Sequence, residues 1–407
     1  MKITRISSAT VEANFDWTIV RVETDERITG HGEAFLQSGL PAQVRVFDRL
    51  LVGSDPLNVG PLWTRMCWAA SAEQARHAIS GIETALLDIK GQALGVPIWQ
   101  LLGGRYREKV RIYLDCHAGQ SLESIGPLLL RRRPEWAGGG EASGSYFDPS
   151  TEDAADFTPE AYAAAARAAV GRGYTALKFD LDVPTPGVAA DPHARVLAPA
   201  QLDHLLSLVE AVIAAVPRTV EVAFDCHWRF TLRDATRLSQ AVQHLPLAWL
   251  EDPTPPHDIE ALRAMRRASS TSIGMGENWY GLEAFQEPIS AEVIDVVLPD
   301  LQKCGGLREG QRIAELAGLH NLLVSPHNIS GPIGTLASAH LCAAIPNFLA
   351  LEFHAADVPF FDSLLAGREG PLVRDGHVEV GDAPGLGAVP NMEVLARYAK
   401  AGEPIFD

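Results

Sequence analysis

The sequence predicts an α/β protein, a (β/α) barrel preceded by a small α+β domain, on three observations. Asp225, Glu251 and Glu277 stand at two equal intervals of 26 residues. Each closes a short apolar run: Val222-Ala223-Phe224, Ala248-Trp249-Leu250 and Ile273-Gly274-Met275-Gly276. Short buried strands separated by one helix each are the output of βαβ units. The beat continues downstream, where Asp300, His327 and Glu352 follow at 23, 27 and 25 residues. The first hundred residues lack that beat, so they form a separate α+β unit.

In chain order, residues 1 to about 32 alternate and turn like a β-meander: Ile3-Thr4-Arg5-Ile6, Thr18 to Glu23, then Gly30-His31-Gly32-Glu33. Asn14-Phe15-Asp16-Trp17 between the first two strands reads as an exposed hairpin tip or a substrate-facing loop. From about Ala42 to Leu102 the pattern is helical. Ala78 to Ile89 has apolar positions at 3-4 spacing, stopped by Gly95-Val96-Pro97 and broken at Gly103-Gly104.

Val110 to Leu114 reads as the first barrel strand, with Asp115, Cys116 and His117 at its end. The Arg131 to Phe157 stretch, with Arg131, Arg132 and Arg133, is too long for an ordinary connection and reads as a disordered segment or oligomer contact ahead of a lid. Ala161 to Val170 is a strong helix former closed by Gly171. The second strand, Thr175 to Phe179, delivers Lys178 and Asp180, which two apart face one way. The same spacing pairs Asp225 with His227 and Glu352 with His354. Counted from Val110 the strands number eight, and their C-terminal ends form one rim. His377 to Val380 and the turn Pro384-Gly385-Leu386-Gly387 leave the barrel. The expected domains are 1–108, an α+β capping segment; 109–368, the barrel; and 369–407, a tail returning to the first segment.

Composition narrows the function. The 407 residues are 47% apolar, as in a globular chain with a large core. Five scattered cysteines without a CxxC pair argue against disulfides or a zinc ribbon and for a reducing, cytoplasmic setting. No stretch approaches a membrane span, and Met1-Lys2-Ile3-Thr4-Arg5 is not expected to open a signal peptide. A net charge of −17 without a basic run argues against nucleic acid as a partner.

Three carboxylates at one rim repel one another unless a hard cation such as Mg²⁺ joins them. One acid at a strand end is an ordinary helix cap; three in register are not. Such an ion leaves positions for a substrate carboxylate and an α-hydroxyl, and it offsets the charge created when the proton alpha to that carboxylate is removed. Lys178 supplies a second positive charge. His327 is the candidate base, with Asp300 one strand earlier to hold its tautomer. His227, two residues past a metal ligand, can protonate a leaving hydroxyl or else support the ligand. Glu352, if protonated, can donate to the enolate oxygen. Asp180 is read as base, hydroxyl binder or partner of Lys178.

These residues resemble the enolase superfamily, mandelate racemase subgroup. The matching pieces are Gly30-His31-Gly32-Glu33, Ile79 to Gly91, Gly95-Val96-Pro97, Leu101-Leu102-Gly103-Gly104, Trp249-Leu250-Glu251-Asp252-Pro253, Pro299-Asp300 with Gly305-Gly306, Pro326-His327, and Pro384-Gly385-Leu386-Gly387. The resemblance implies a modified (β/α)₇β TIM-like barrel with an α+β capping domain built from the N-terminal segment and the tail. It implies Mg²⁺ on Asp225, Glu251 and Glu277, a His327–Asp300 base, a specificity loop at Asn14 to Trp17, and by family habit a homo-oligomer. Where the racemases carry Lys-x-Lys, this chain has Lys178-Phe179-Asp180, which removes the usual second base. Asp225-Cys226-His227 is instead similar to the metal-ligand-x-His arrangement of galactonate and mannonate dehydratases. The expectation is an acid-sugar (aldonate or aldarate) dehydratase. The rival readings are an epimerase or cycloisomerase on the same scaffold, and a non-catalytic sugar-acid binder.

Overall fold

The computed structural model describes residues 1–70, 72–116, 135–137, 157–188 and 195–406. His117 and, apart from Glu135–Ala137 and Phe157, the Arg131 to Phe157 segment lie outside the described residues. Among the described residues, eight strands alternate with seven α-helices from Lys109–Asp115 to Leu351–Phe353, one helix between each strand and the next. That is the (β/α)₇β order of a modified TIM-like barrel, and the three-stranded meander and helices before it are the α+β capping segment. No helix of the described residues is long and apolar enough to cross a membrane. All five cysteines are free.

The chain divides into two compact units. One comprises Ile112–Gly276 and Glu287–Val297. Its strands run parallel in sequence order: Tyr113 pairs with Ala176, Asp180 with Asp225, Asp225 with Glu251, Glu251 with Gly274, and Met275 with Val297. The side chains facing between strands and helices, among them Leu177, Phe179, Val222, Phe224 and Leu250, are fully buried. This is why these strands read as continuous apolar runs and not as alternating ones. The register places Asp180, Asp225 and Glu251 at one level across three adjacent strand ends.

The other unit comprises Met1–Arg111, Glu277–Gln286 and Leu298–Asp407. Ile3–Glu12, Asp16–Thr24 and Thr29–Ala34 form the antiparallel meander, packed by the helix Ala75–Leu94. A Cβ on Gly30 or Gly32 would come within 2.1 Å of a helix carbonyl oxygen, so the Gly-x-Gly of this strand allows the helix its close approach. Gly95 at φ 70° ends that helix. The tail packs onto the same unit. His377–Glu379 pairs antiparallel with Lys109–Arg111, Leu386 N–H donates to Asp88 at 2.9 Å, and Val11 bridges Ala399.

Three acids of the N-terminal segment serve backbone amides. Glu33 accepts from Gly331 and Gly334 at 2.6 and 2.8 Å, at the start of the helix Pro332–Ala344. Glu83 accepts from Leu307 and Arg308 at the start of Leu307–Leu319, and Asp88 accepts from His31 and Leu386. A carboxylate at a helix N-terminus satisfies orphan N–H groups and opposes the helix dipole. Burial nonetheless pushes these carboxyls up, Glu33 and Glu83 to about 7 and Asp88 to about 6, against the pull of their N–H donors.

The expectation of an exposed tip at Asn14 to Trp17 is corrected. Asn14 and Trp17 are buried, and Trp17 lies inside the second strand. Its indole packs edge-on against Phe360 and Phe361, and Asn14 Nδ2 donates to the carbonyl of His354 at 3.0 Å. Residues more than 300 positions away cover the turn, which no local pattern reveals.

Candidate active site

Lys178 is buried and donates from Nζ to Asp225 Oδ2 and Glu251 Oε1, each at 3.0 Å. Both carboxylates are themselves fully buried. Trp249 Nε1 donates to the other oxygen of Glu251 at 2.8 Å, and the His227 backbone N–H donates to Asp225 Oδ1 at 2.8 Å. Burial works against ionised Asp225, but the charges of His227 and Lys178 outweigh it and hold the carboxyl low, at about 2. One oxygen from each of Asp225 and Glu251 lies within 4.8 Å of the other, a separation one ion can span. A hard, all-oxygen donor pair with a surplus negative charge fits Mg²⁺.

His227 does not continue the strand as its spacing suggested. The strand ends at Asp225, and His227 and Trp228 sit in the left-handed region at φ 40° and 47°. Asp252, just past Glu251, is there too at φ 38°. Such non-glycine positions cost energy and collect at functional sites. The turn folds the imidazole back, with Nε2 3.6 Å from Asp225 Oδ2 and Nδ1 3.0 Å from Asp182 Oδ1. Asp180 Oδ1 lies 4.0 Å from Nδ1. Burial lowers the affinity of this imidazole for its proton, but Asp225, Asp182 and Asp180 together hold it well above the usual histidine range.

In the other unit, His327 Nδ1 lies 2.7 Å from Asp300 Oδ2, and the second Asp300 oxygen accepts from the Gln302 N–H. His327 Nε2 is 3.1 Å from Glu277 Oε2 and 3.8 Å from Glu352 Oε2. Burial opposes protonation here also, but Glu277, Glu352 and Asp300 raise the imidazole to about 9. Glu352 Oε2 accepts from the Asn328 N–H at 2.9 Å. Glu277 follows Gly276, at the end of the strand Ile273–Met275, and accepts from Asn278 Nδ2 at 2.8 Å.

Three polar residues here escaped the sequence reading. Asp182 extends a period-two run, Lys178-x-Asp180-x-Asp182, that is visible in the chain. Asn278 and Lys303 carry no such signal. Lys303 is buried, donates to Asn278 Oδ1 at 3.0 Å and lies over the Phe35 ring at 4.6 Å.

Residues 2–103 match the model of the mandelate racemase / muconate lactonizing enzyme N-terminal domain, and residues 161–394 match that of the enolase C-terminal domain-like family. D-xylonate dehydratase of Haloferax volcanii is 36% identical across 100% of this chain and 91% of its own length. A D-galactonate dehydratase family member of Pantoea ananatis is 28% identical over 97% of this chain and 93% of its own. The crystal structure of a mandelate racemase/muconate lactonizing enzyme-like protein from Rubrobacter xylanophilus superposes with a TM-score of 0.87 at 37% identity, covering 100% of this chain and 99% of that one.

Proposed function

The chain belongs to the enolase superfamily, in the mandelate racemase / muconate lactonizing enzyme family, and on that premise we propose that it is a Mg²⁺-dependent acid-sugar dehydratase. Its substrate is an aldonate or aldarate, with D-xylonate and D-galactonate first to try, and its product is the 2-keto-3-deoxy acid. The observation that carries the reading is His227, folded back onto Asp225 by a left-handed turn and braced at Nδ1 by Asp182.

Asp225, Glu251 and Glu277 are the residues to hold the ion. Bound there, it neutralises the charge that builds on the substrate carboxylate when the C2 proton leaves. His327 takes that proton at Nε2, and Asp300 fixes its Nδ1–H and supports the imidazolium that forms. Glu352, on the same imidazole, serves the developing enolate. His227 delivers a proton from Nε2 to the C3 hydroxyl, which departs as water while the C2–H electrons form the C2–C3 double bond. The enol then takes a proton at C3 to give the keto acid. Lys178 balances the charge of Asp225 and Glu251. Its engagement with both carboxylates speaks against a second-base role, and so against racemisation. Asp180 adds negative charge beside His227. The test is keto-acid formation from D-xylonate and D-galactonate by protein stripped with EDTA and then given Mg²⁺. Turnover that the chelator leaves intact would remove the metal from the account.

A further inference from the structure

We propose that Asp182 is a positioning residue for His227: it accepts the Nδ1–H and so presents Nε2 as the nitrogen that gives up its proton. The inference rests on the reading of His227 as the acid that expels water. The imidazole is restrained at several points. Its backbone N–H is tied to Asp225 Oδ1 at 2.8 Å, and its main chain is turned to φ 40°. Its ring stands edge-on to Trp228 at 88°, and its Nδ1 is 3.0 Å from Asp182 Oδ1. Asp180, the nearer residue in sequence to the strand end, is 4.0 Å from the same nitrogen, beyond a hydrogen bond. With Nδ1 committed to Asp182, the ring plane and tautomer are set, and only Nε2 is left to serve the leaving group. After the transfer the neutral ring keeps its Nδ1–H on Asp182, C3–O is broken, and the oxygen leaves as water.

One alternative is testable in the same experiment. Ligand atoms of Asp180, Asp182 and His227 lie within 4.8 Å of one another, so the trio could instead hold a second ion. Asp182→Asn, Asp182→Glu and wild type are compared with D-xylonate and Mg²⁺ in D₂O, with metal content per chain measured on each. The inference expects Asp182→Asn to lower kcat for water elimination by about 10- to 100-fold with KM held within about twofold. Deuterium entry at C2, which needs His327 but not His227, is expected to persist, and Asp182→Glu is expected to recover part of the loss. In ¹⁵N-histidine-labelled protein the Nδ1–H proton of His227, assigned by its loss in His227→Asn, is expected to move upfield in Asp182→Asn. Exchange and elimination falling together, an unmoved resonance, or a second ion lost with Asp182 would each overturn the inference. A wild type that makes no keto acid would remove the dehydratase reading instead, and the resonance would still decide on Asp182.

Discussion

His327 Nδ1 and Asp300 Oδ2 stand 2.7 Å apart, and both side chains are buried. Replacing His327 by Asn keeps the Asp300 hydrogen bond feasible but removes the group that takes the C2 proton. Both deuterium exchange at C2 and keto-acid formation are expected to fall by about 10²- to 10⁴-fold, the usual worth of a positioned base. Exchange surviving in His327→Asn, read by NMR of recovered substrate, would place the base elsewhere.

His227→Asn separates the two halves of the reaction. Proton removal at C2 continues, so deuterium still enters, while elimination falls by about 10²-fold or more for want of the acid. Loss of neither activity would refute the acid role.

Lys178→Met leaves Asp225 and Glu251 without the ammonium that joins them. Breaking a buried ion pair by deleting one partner costs about 3–5 kcal/mol. A lowered melting temperature is expected in EDTA, and it should recover as Mg²⁺ is added, since an ion bound to the folded chain stabilises it. An unchanged melting point in EDTA would mean that the charge is balanced by other groups.

Glu33 gives a pH signature with a definite sign. Burial raises its carboxyl from 4.5 to about 7, so between those values the folded chain holds a proton that the unfolded chain has lost. Stability from this group is therefore fully present below about 4.5 and is lost as pH rises to about 7. Glu33→Gln cannot titrate, and it should flatten the fall by about 3 kcal/mol. Urea unfolding of both proteins at several pH values across this window reads the difference. Equal slopes would show that the two N–H donors at Gly331 and Gly334 hold Glu33 ionised throughout.

The barrel was legible because its strands are buried on both faces and end in acids at even intervals. Val222 to Asp225 reads as a strand from composition alone, and it is one. The long helix was legible as well, although it is buried almost all round where its 3-4 spacing implied one face. Local pattern misjudged the turn at Asn14 because its cover, Phe360 and Phe361, comes from the far end of the chain. Strand alternation points to His227, whereas a left-handed turn sets its place beside Asp225. Asp182 continues the period-two run from Lys178 but lies past the strand end at Asp180, so its place at the imidazole is set by the fold and not by strand alternation. Glu33, Glu83 and Asp88 could be quoted as parts of a motif. The work of Glu33 and Glu83 as helix caps, and of Asp88 in holding the Leu386 amide, joins positions some 220 to 300 residues apart and is a property of packing.

The most direct measurement incubates the purified protein with Mg²⁺ in D₂O against a set of aldonic and aldaric acids beginning with D-xylonate and D-galactonate. It follows 2-keto-3-deoxy acid and C2 deuterium in the same samples. The account predicts keto acid from at least one aldonate or aldarate, abolished by EDTA. Deuterium at C2 of recovered substrate with no keto acid from any of them would contradict it, and inverted configuration at that C2 would make the protein an epimerase.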